Sequence, residues 1–120
     1  PLEWTHGKSL IPILTGEYSG DQHHESLRCE YYDVVDKGAP NRSDQHQPCW
    51  ATMFRKDRYK LVVYHGEELG ELYDLQEDPD EFNNLWNDPS HLEIKLDLIK
   101  QNFDDSVITC DPGPARIGRY

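Results

Sequence analysis

Two short stretches gather side chains whose types could do chemistry. Asp21-Gln22-His23-His24-Glu25 holds four metal-ligating residues in five positions. Thr5-His6-Gly7-Lys8 sets a histidine and a lysine beside a glycine, a combination that could meet an oxyanion together with backbone amides near Ser9. A metal ion, however, needs three or four converging ligands, and adjacent histidines on a polar loop tend to point apart. No second ligand pair at zinc spacing follows, so the first stretch reads as an exposed loop and the second as a pair rather than a site. His46, His65 and His91 are scattered. Cys29, Cys49 and Cys110 are odd in number and far apart, which fits neither a disulfide framework nor a Cys-x-x-Cys zinc pair; they read as buried thiols, with one disulfide left open. No Gly-x-Ser-x-Gly, phosphate loop or paired Cys/His arrangement occurs. No catalytic, cofactor-binding or metal-ligating residue is assigned.

The body that would position such groups is small. The 120 residues are one ordinary domain, and only 36% are hydrophobic, so the core must be thin. Lys+Arg 12 against Asp+Glu 23 gives a net charge of −11, which opposes binding to nucleic acid or to an anionic membrane surface. No stretch approaches the roughly 18 consecutive apolar residues of a membrane span, so a soluble chain is expected. The only methionine is Met53 and the chain opens with Pro1-Leu2-Glu3-Trp4, which reads as a piece of a longer protein and leaves localisation open.

Element signals are clear in places. Ser9 as N-cap, Pro12 in the first turn and Gly16 as a stop define a short helical turn, too short to stand alone. Leu10, Ile11, Ile13 and Leu14 must therefore dock on something. Leu27 to Val35 reads as a strand and Asp36 to Pro48 as a polar loop. Trp50–Arg55, a turn at Lys56-Asp57, Arg58–Tyr64, and Glu71–Leu75 after a loop form an antiparallel meander. Tyr59, Leu61 and Val63 share one face of the return strand and Lys60, Val62 and Tyr64 the other, so both faces touch something. Asp88 as cap and Pro89 at the first position open an amphipathic helix of about four turns. Its stripe of Leu92, Leu96, Ile99 and Phe103, joined by Ile94 and Leu98, should lie on the sheet. The opposite sheet face has no evident cover within the chain. The basic hairpin Arg55, Lys56, Arg58, Lys60 precedes an acidic run, so cross-strand ion pairs are natural.

The most patterned stretch is Gly70 to Leu85. Asp78 is placed to cap, Pro79 to follow it, Glu81 to return a hydrogen bond to the cap amide, and Phe82 and Leu85 to seat the turn on the core. Here the sequence resembles the C-terminal portion of type I sulfatases of the alkaline phosphatase superfamily. Glu71-Leu72-Tyr73-Asp74-Leu75, Asp78-Pro79, Glu81 and Asn84-Leu85 match the family's Glu-Leu-Tyr-Asp-Leu-x-x-Asp-Pro-x-Glu-x-x-Asn-Leu pattern closely. His6-Gly7-Lys8-Ser9-Leu10-Ile11-Pro12-Ile13-Leu14-Thr15-Gly16 is similar to its Gly-[Arg/Lys]-Ser-Leu-x-Pro-Leu-Leu-x-Gly segment, and Arg58-Tyr59-Lys60-Leu61-Val62 to a strand of many members.

The resemblance implies an α+β subdomain: an antiparallel sheet of about four strands packed against a C-terminal amphipathic helix. Residues 1–20 would connect from a missing catalytic domain, 21–106 would form the subdomain and 107–120 an extended tail. It also implies a parent enzyme that hydrolyses a small sulfate ester with formylglycine and calcium. Neither group is expected within this chain. Cys29, Cys49 and Cys110 begin Cys-Glu-Tyr, Cys-Trp-Ala and Cys-Asp-Pro, not the formylglycine motif Cys-x-Pro-x-Arg. Lys8 corresponds to a position downstream of the family's catalytic lysine, so that role is not transferred to it. The partner implied is the N-terminal catalytic domain, with Asp21–Glu25, Asp36–Pro48 and the tail after Cys110 as loops at the rim of its cleft. A phosphonate monoester hydrolase or phosphodiesterase subdomain, and a free-standing acidic interaction module, are the competing readings.

Overall fold

The computed structural model describes residues 7–17, 23–32 and 49–110. In chain order they form α1 (Ile11–Leu14), β1 (Ser26–Tyr32), β2 (Trp50–Lys56), β3 (Tyr59–Tyr64), β4 (Gly70–Asp74), a 3-10 turn (Pro89–His91) and α2 (Leu92–Thr109). The four strands make one antiparallel meander in the order β1-β2-β3-β4. This is the expected α+β architecture. The positions Asp33–Val35 and Asp36–Pro48 lie outside the described residues.

The β2–β3 loop is Asp57-Arg58, one residue later than the sequence signal, because Lys56 still pairs with Tyr59. Asp57 takes φ +52, a left-handed conformation that Asp tolerates better than most residues. Register then places Arg28, Phe54, Leu61 and Leu72 in one row across the sheet. The last three of these, with Leu98 of α2, form the buried core, and Tyr59, Val63, Leu85, Trp86, Ile94 and Ile99 pack around it. Each fully buried Phe or Leu stabilises the fold by roughly 1.5–3 kcal/mol relative to exposure.

Three local expectations are corrected. The first concerns α2. Asp88 caps as expected, its carboxylate accepting the Ser90 amide at 2.9 Å. Yet Leu92, Leu96 and Phe103 point outward, Phe103 with 67% of its surface exposed, while Leu98 and Asn102 face the sheet. The helix is rotated because Asn102 donates to Thr52 Oγ1 at 3.0 Å and accepts from Arg28 Nε at 3.2 Å. This polar clamp and Leu98 set the inward line at positions 94, 98 and 102, one helical turn apart. The hydrophobic stripe alone misled, and the helix also continues past Phe103 to Thr109.

The second correction falls at Asp78. No helix follows Pro79; Asp78 closes a turn instead, its carboxylate accepting the Asn83 amide at 2.7 Å. Glu81 adopts φ +59, which a continuing helix excludes, and its carboxylate meets Lys60 rather than the Asp78 amide. Leu85 reaches the core, but Phe82 is left 88% exposed. The third correction is at α1, where Leu10 rather than Ser9 holds the N-cap position, although Ser9 Oγ accepts the Ile11 amide at 3.3 Å. Pro12 must fall within the first two helical positions, and that delays the start by one residue. Gly16, at φ +74, ends the turn as expected, and Leu10, Ile11 and Leu14 remain exposed.

The sheet face away from α2 carries Leu27, Cys29 and Tyr31 of β1, Met53 and Arg55 of β2, Lys60, Val62 and Tyr64 of β3, and Glu71 and Tyr73 of β4. Leu27, Cys29 and Tyr31 are exposed there. Cys29 and Cys110 are thus surface residues and Cys49 is half-buried, against the expectation of buried thiols; no disulfide joins the three. β1 stands at the sheet edge, so alternate residues of it meet no second layer among the described residues. No helix of the described residues is long and apolar enough to cross a membrane.

Candidate functional site

The patterned stretch from Gly70 to Trp86 is a bracket around the outer edge of β4. Asn84 Oδ1 accepts the Leu72 amide at 3.1 Å and the Trp86 amide at 2.9 Å, while Asn84 Nδ2 donates to the Gly70 carbonyl at 3.0 Å. The Leu85 amide adds a bond to the Leu72 carbonyl at 2.8 Å. One asparagine thereby satisfies strand groups that would otherwise present an open edge. Trp86 lies so close over Gly70 that no side chain fits there, and Lys95 of α2 sits 4.6 Å above the indole ring while donating to the Trp86 carbonyl at 2.6 Å. The motif ties sheet, bracket and helix together.

Two charge pairs hold the hairpin to this bracket, as the basic and acidic runs suggest. Arg58 grips Asp74 with two nitrogens, Nε to Oδ1 at 2.6 Å and the second to Oδ2. The guanidinium holds the Asp74 carboxyl below its ordinary value, helped by the Gln76 and Glu77 amides and opposed by desolvation. Lys60 pairs with Glu81 and lies 5.8 Å from the centre of the Tyr73 ring. On the same face the Tyr64 hydroxyl donates to Glu71 at 2.6 Å, and this bond is the main reason its pKa is pushed up to about 12.

Of the residues first weighed for chemistry, Lys8 and His23-His24 do meet. Lys8 Nζ donates to the His23 carbonyl at 2.9 Å, and the His23 and His24 rings lie edge to face with centroids 4.5 Å apart. Desolvation lowers the His24 pKa first, and the neighbouring His23 and Lys8 lower it further. Glu25 is exposed, and Asp21, His6 and His46 lie outside the described residues. His65 Nε2 is 3.0 Å from Thr52 Oγ1, joining the Thr52–Asn102–Arg28 clamp, and His91 is 3.0 Å from Asp88 at the start of α2. Sequence spacing gave no signal for the convergence of Lys8 with His23, nor for the clamp, since both join residues distant in the chain.

Among the described residues, no three or more His, Cys, Asp or Glu side chains converge on a point that could hold a metal ion. With no Cys-x-Pro-x-Arg motif in the sequence either, these residues do not fit the formylglycine and calcium of a sulfatase centre. No bond-breaking step is derived for them.

The fold is a four-stranded antiparallel meander whose outer strand is bracketed by Asn84 and Trp86. The chain belongs to the family described as N-sulphoglucosamine sulphohydrolase, C-terminal, whose model matches residues 1–106. An uncharacterised protein of Haemophilus influenzae is 37% identical over 96 residues, covering 79% of this chain and 42% of that protein. A candidate sulfatase from Bacteroides thetaiotaomicron VPI-5482 has a similar structure, with 28% identity, TM-score 0.71, and 91% of this chain aligned to 21% of that one. A 2-O GAG sulfatase gives 30% identity and TM-score 0.66 over 90% of this chain and 21% of its own. A phosphonate monoester hydrolase from Silicibacter pomeroyi gives 27% and 0.68 over 89% and 22%. The chain thus spans less than half of the curated relative and about a fifth of each structure.

Proposed function

We propose that the chain closes one side of a sulfatase whose N-terminal domain performs the hydrolysis of a small sulfate ester. The family match across residues 1–106 carries this reading. Two further observations support it. The sheet face opposite α2 keeps Leu27 and Tyr31 exposed, and α1 keeps Leu10, Ile11 and Leu14 exposed, as expected of surfaces that meet a larger body. On this reading residues 1–20 lead from the catalytic domain, 21–106 form the subdomain and 107–120 the tail. Formylglycine and calcium belong to the parent's N-terminal domain and supply its nucleophile and its hold on the sulfate oxygens. The contribution of this chain is to bury apolar surface and to present the Asp21–Glu25 and Asp36–Pro48 loops and the tail at the cleft rim.

The similarity to a phosphonate monoester hydrolase supports a second reading within the same superfamily. The two are separated by assaying the full-length protein on an aryl sulfate and on an aryl phosphonate monoester under identical conditions. A larger kcat/KM for the sulfate is expected. A larger value for the phosphonate would replace the first reading with the second.

A further inference from the structure

Thr52 and Asn102 are both buried, so the polar clamp under α2 has to satisfy its hydrogen bonds internally. The direction of every bond in it follows from one residue. A guanidinium can only donate, so Arg28 Nε gives its hydrogen to Asn102 Oδ1, and Asn102 Nδ2 is left to donate to Thr52 Oγ1. The Thr52 hydroxyl then has one hydrogen of its own to place. Its remaining partner among the described residues is His65 Nε2, 3.0 Å away. The His65 amide donates to the Trp50 carbonyl at 2.8 Å, which extends the β2–β3 ladder past Tyr64 and fixes His65 beside Thr52. All hydrogens in the chain Arg28–Asn102–Thr52–His65 thus point the same way, and the last is received by a lone pair on Nε2. His65 itself is exposed, so its ring meets protons from solvent.

We propose that His65 is a pH-sensitive latch on the C-terminal half of α2, closed while its ring is neutral with hydrogen on Nδ1 and released when Nε2 is protonated. A protonated Nε2 turns from acceptor to donor toward Thr52 Oγ1, and the Thr52 hydrogen loses its acceptor at a site only 3% exposed. An unsatisfied buried donor is costly, and the clamp is relieved by giving up the Thr52–Asn102 contact that sets the rotation of α2. Around the ring, β1 contributes Arg28, paired with Glu30, and Tyr32 in the row of Trp50. The helix contributes Asp105, three positions after Asn102 on the same side, and the loop after β3 contributes the exposed Glu67 and Glu68. The carboxylates favour a charged ring, so protonation proceeds and its cost falls on the clamp. Helix docking is therefore complete with neutral His65 and weakens as pH falls through the histidine range of about 8 to 5. A histidine that donated to Thr52 from Nε2 at every pH would fasten the loop after β3 without any such dependence.

The test uses the full-length protein and does not depend on its activity. Proton–nitrogen correlation spectra of the His65 ring at about pH 8 are expected to show hydrogen on Nδ1 and none on Nε2. Hydrogen on Nε2 overturns the proposal. Amide exchange over residues 102–109, corrected for the intrinsic effect of pH, is then compared at about pH 8 and about pH 5 in wild type, His65→Gln and Thr52→Val. Glutamine keeps an acceptor that does not titrate, and valine removes the hydrogen whose acceptor would be lost. The loss of protection between the two pH values is expected to be about tenfold larger in wild type than in either variant. An equal loss in wild type and His65→Gln overturns the latch, and this comparison decides the matter even if Thr52→Val fails to fold.

Discussion

Arg58 and Asp74 join the start of β3 to the end of β4 through two parallel contacts, with Asp74 also accepting the Gln76 amide at 3.1 Å and the Glu77 amide at 3.4 Å. Register makes this possible, since Tyr59 pairs with Asp74 and the Leu75 amide reaches the Arg58 carbonyl at 2.7 Å. The folded protein holds the Asp74 carboxyl below its ordinary 3.8, first through Arg58, so the charged form contributes stability that is present above that value. It is lost as pH falls through the lowered folded-state value. Urea unfolding of wild type and Asp74→Asn should therefore show the full difference in midpoint from pH 5 to 7 and a closing gap below pH 3.8. A gap that stays constant down to acid unfolding would contradict the role given to this carboxylate.

Leu61 is 0% exposed at the centre of the core, whereas Phe82 stands outside it despite being the larger side chain. Leu61→Ala should cost about 2–5 kcal/mol by loss of packing and creation of a cavity, and Phe82→Ala less than about 0.5 kcal/mol. Denaturant midpoints of the two variants check the contrast. Comparable losses would mean that Phe82 is seated after all.

Gly70 is required by the close approach of Trp86, since a Cβ there would fall inside the indole ring. Gly70→Ala should destabilise the protein by about 1–3 kcal/mol through overpacking. In a Trp86→Ala background the same substitution should cost much less. A double-mutant cycle measures the coupling, and additive losses would refute the steric explanation.

Asn84 makes three hydrogen bonds across the edge of β4, which no other side chain of similar size reproduces. Asn84→Ala should cost about 1–3 kcal/mol and raise amide exchange at Leu72 and Trp86, whose N–H groups it accepts. Asn84→Asp keeps the acceptor but loses the donor to the Gly70 carbonyl, so protection at the two amides should survive better than in the alanine variant. Equal deprotection in both variants would speak against the bracket.

The meander, the Asp88 cap and the oppositely charged hairpin and bracket were legible because each depends on residues close in sequence or on a strict two-residue alternation. The orientation of α2 was not. Leu92, Leu96, Ile99 and Phe103 form the more regular stripe, but the polar clamp of Asn102 with Thr52 and Arg28 turns the helix, and a buried asparagine gives no hydropathy signal. At Asp78 the capping pattern was genuine in composition, yet the left-handed Glu81 and its tie to Lys60 override it through a contact twenty-one positions away. Of the candidate site, His23 and His24 were visible as a pair, while their meeting with Lys8 depends on the path of the chain between them and could not be read from spacing.

On the proposed sulfatase reading, the bond-breaking groups lie in a domain N-terminal to residues 1–120. Sulfate ester hydrolysis measured side by side for the full-length protein and for residues 1–120 tests this most directly. Turnover by the full-length protein and none by the isolated chain is expected. Turnover by residues 1–120 alone, or none by the full-length protein, would contradict it.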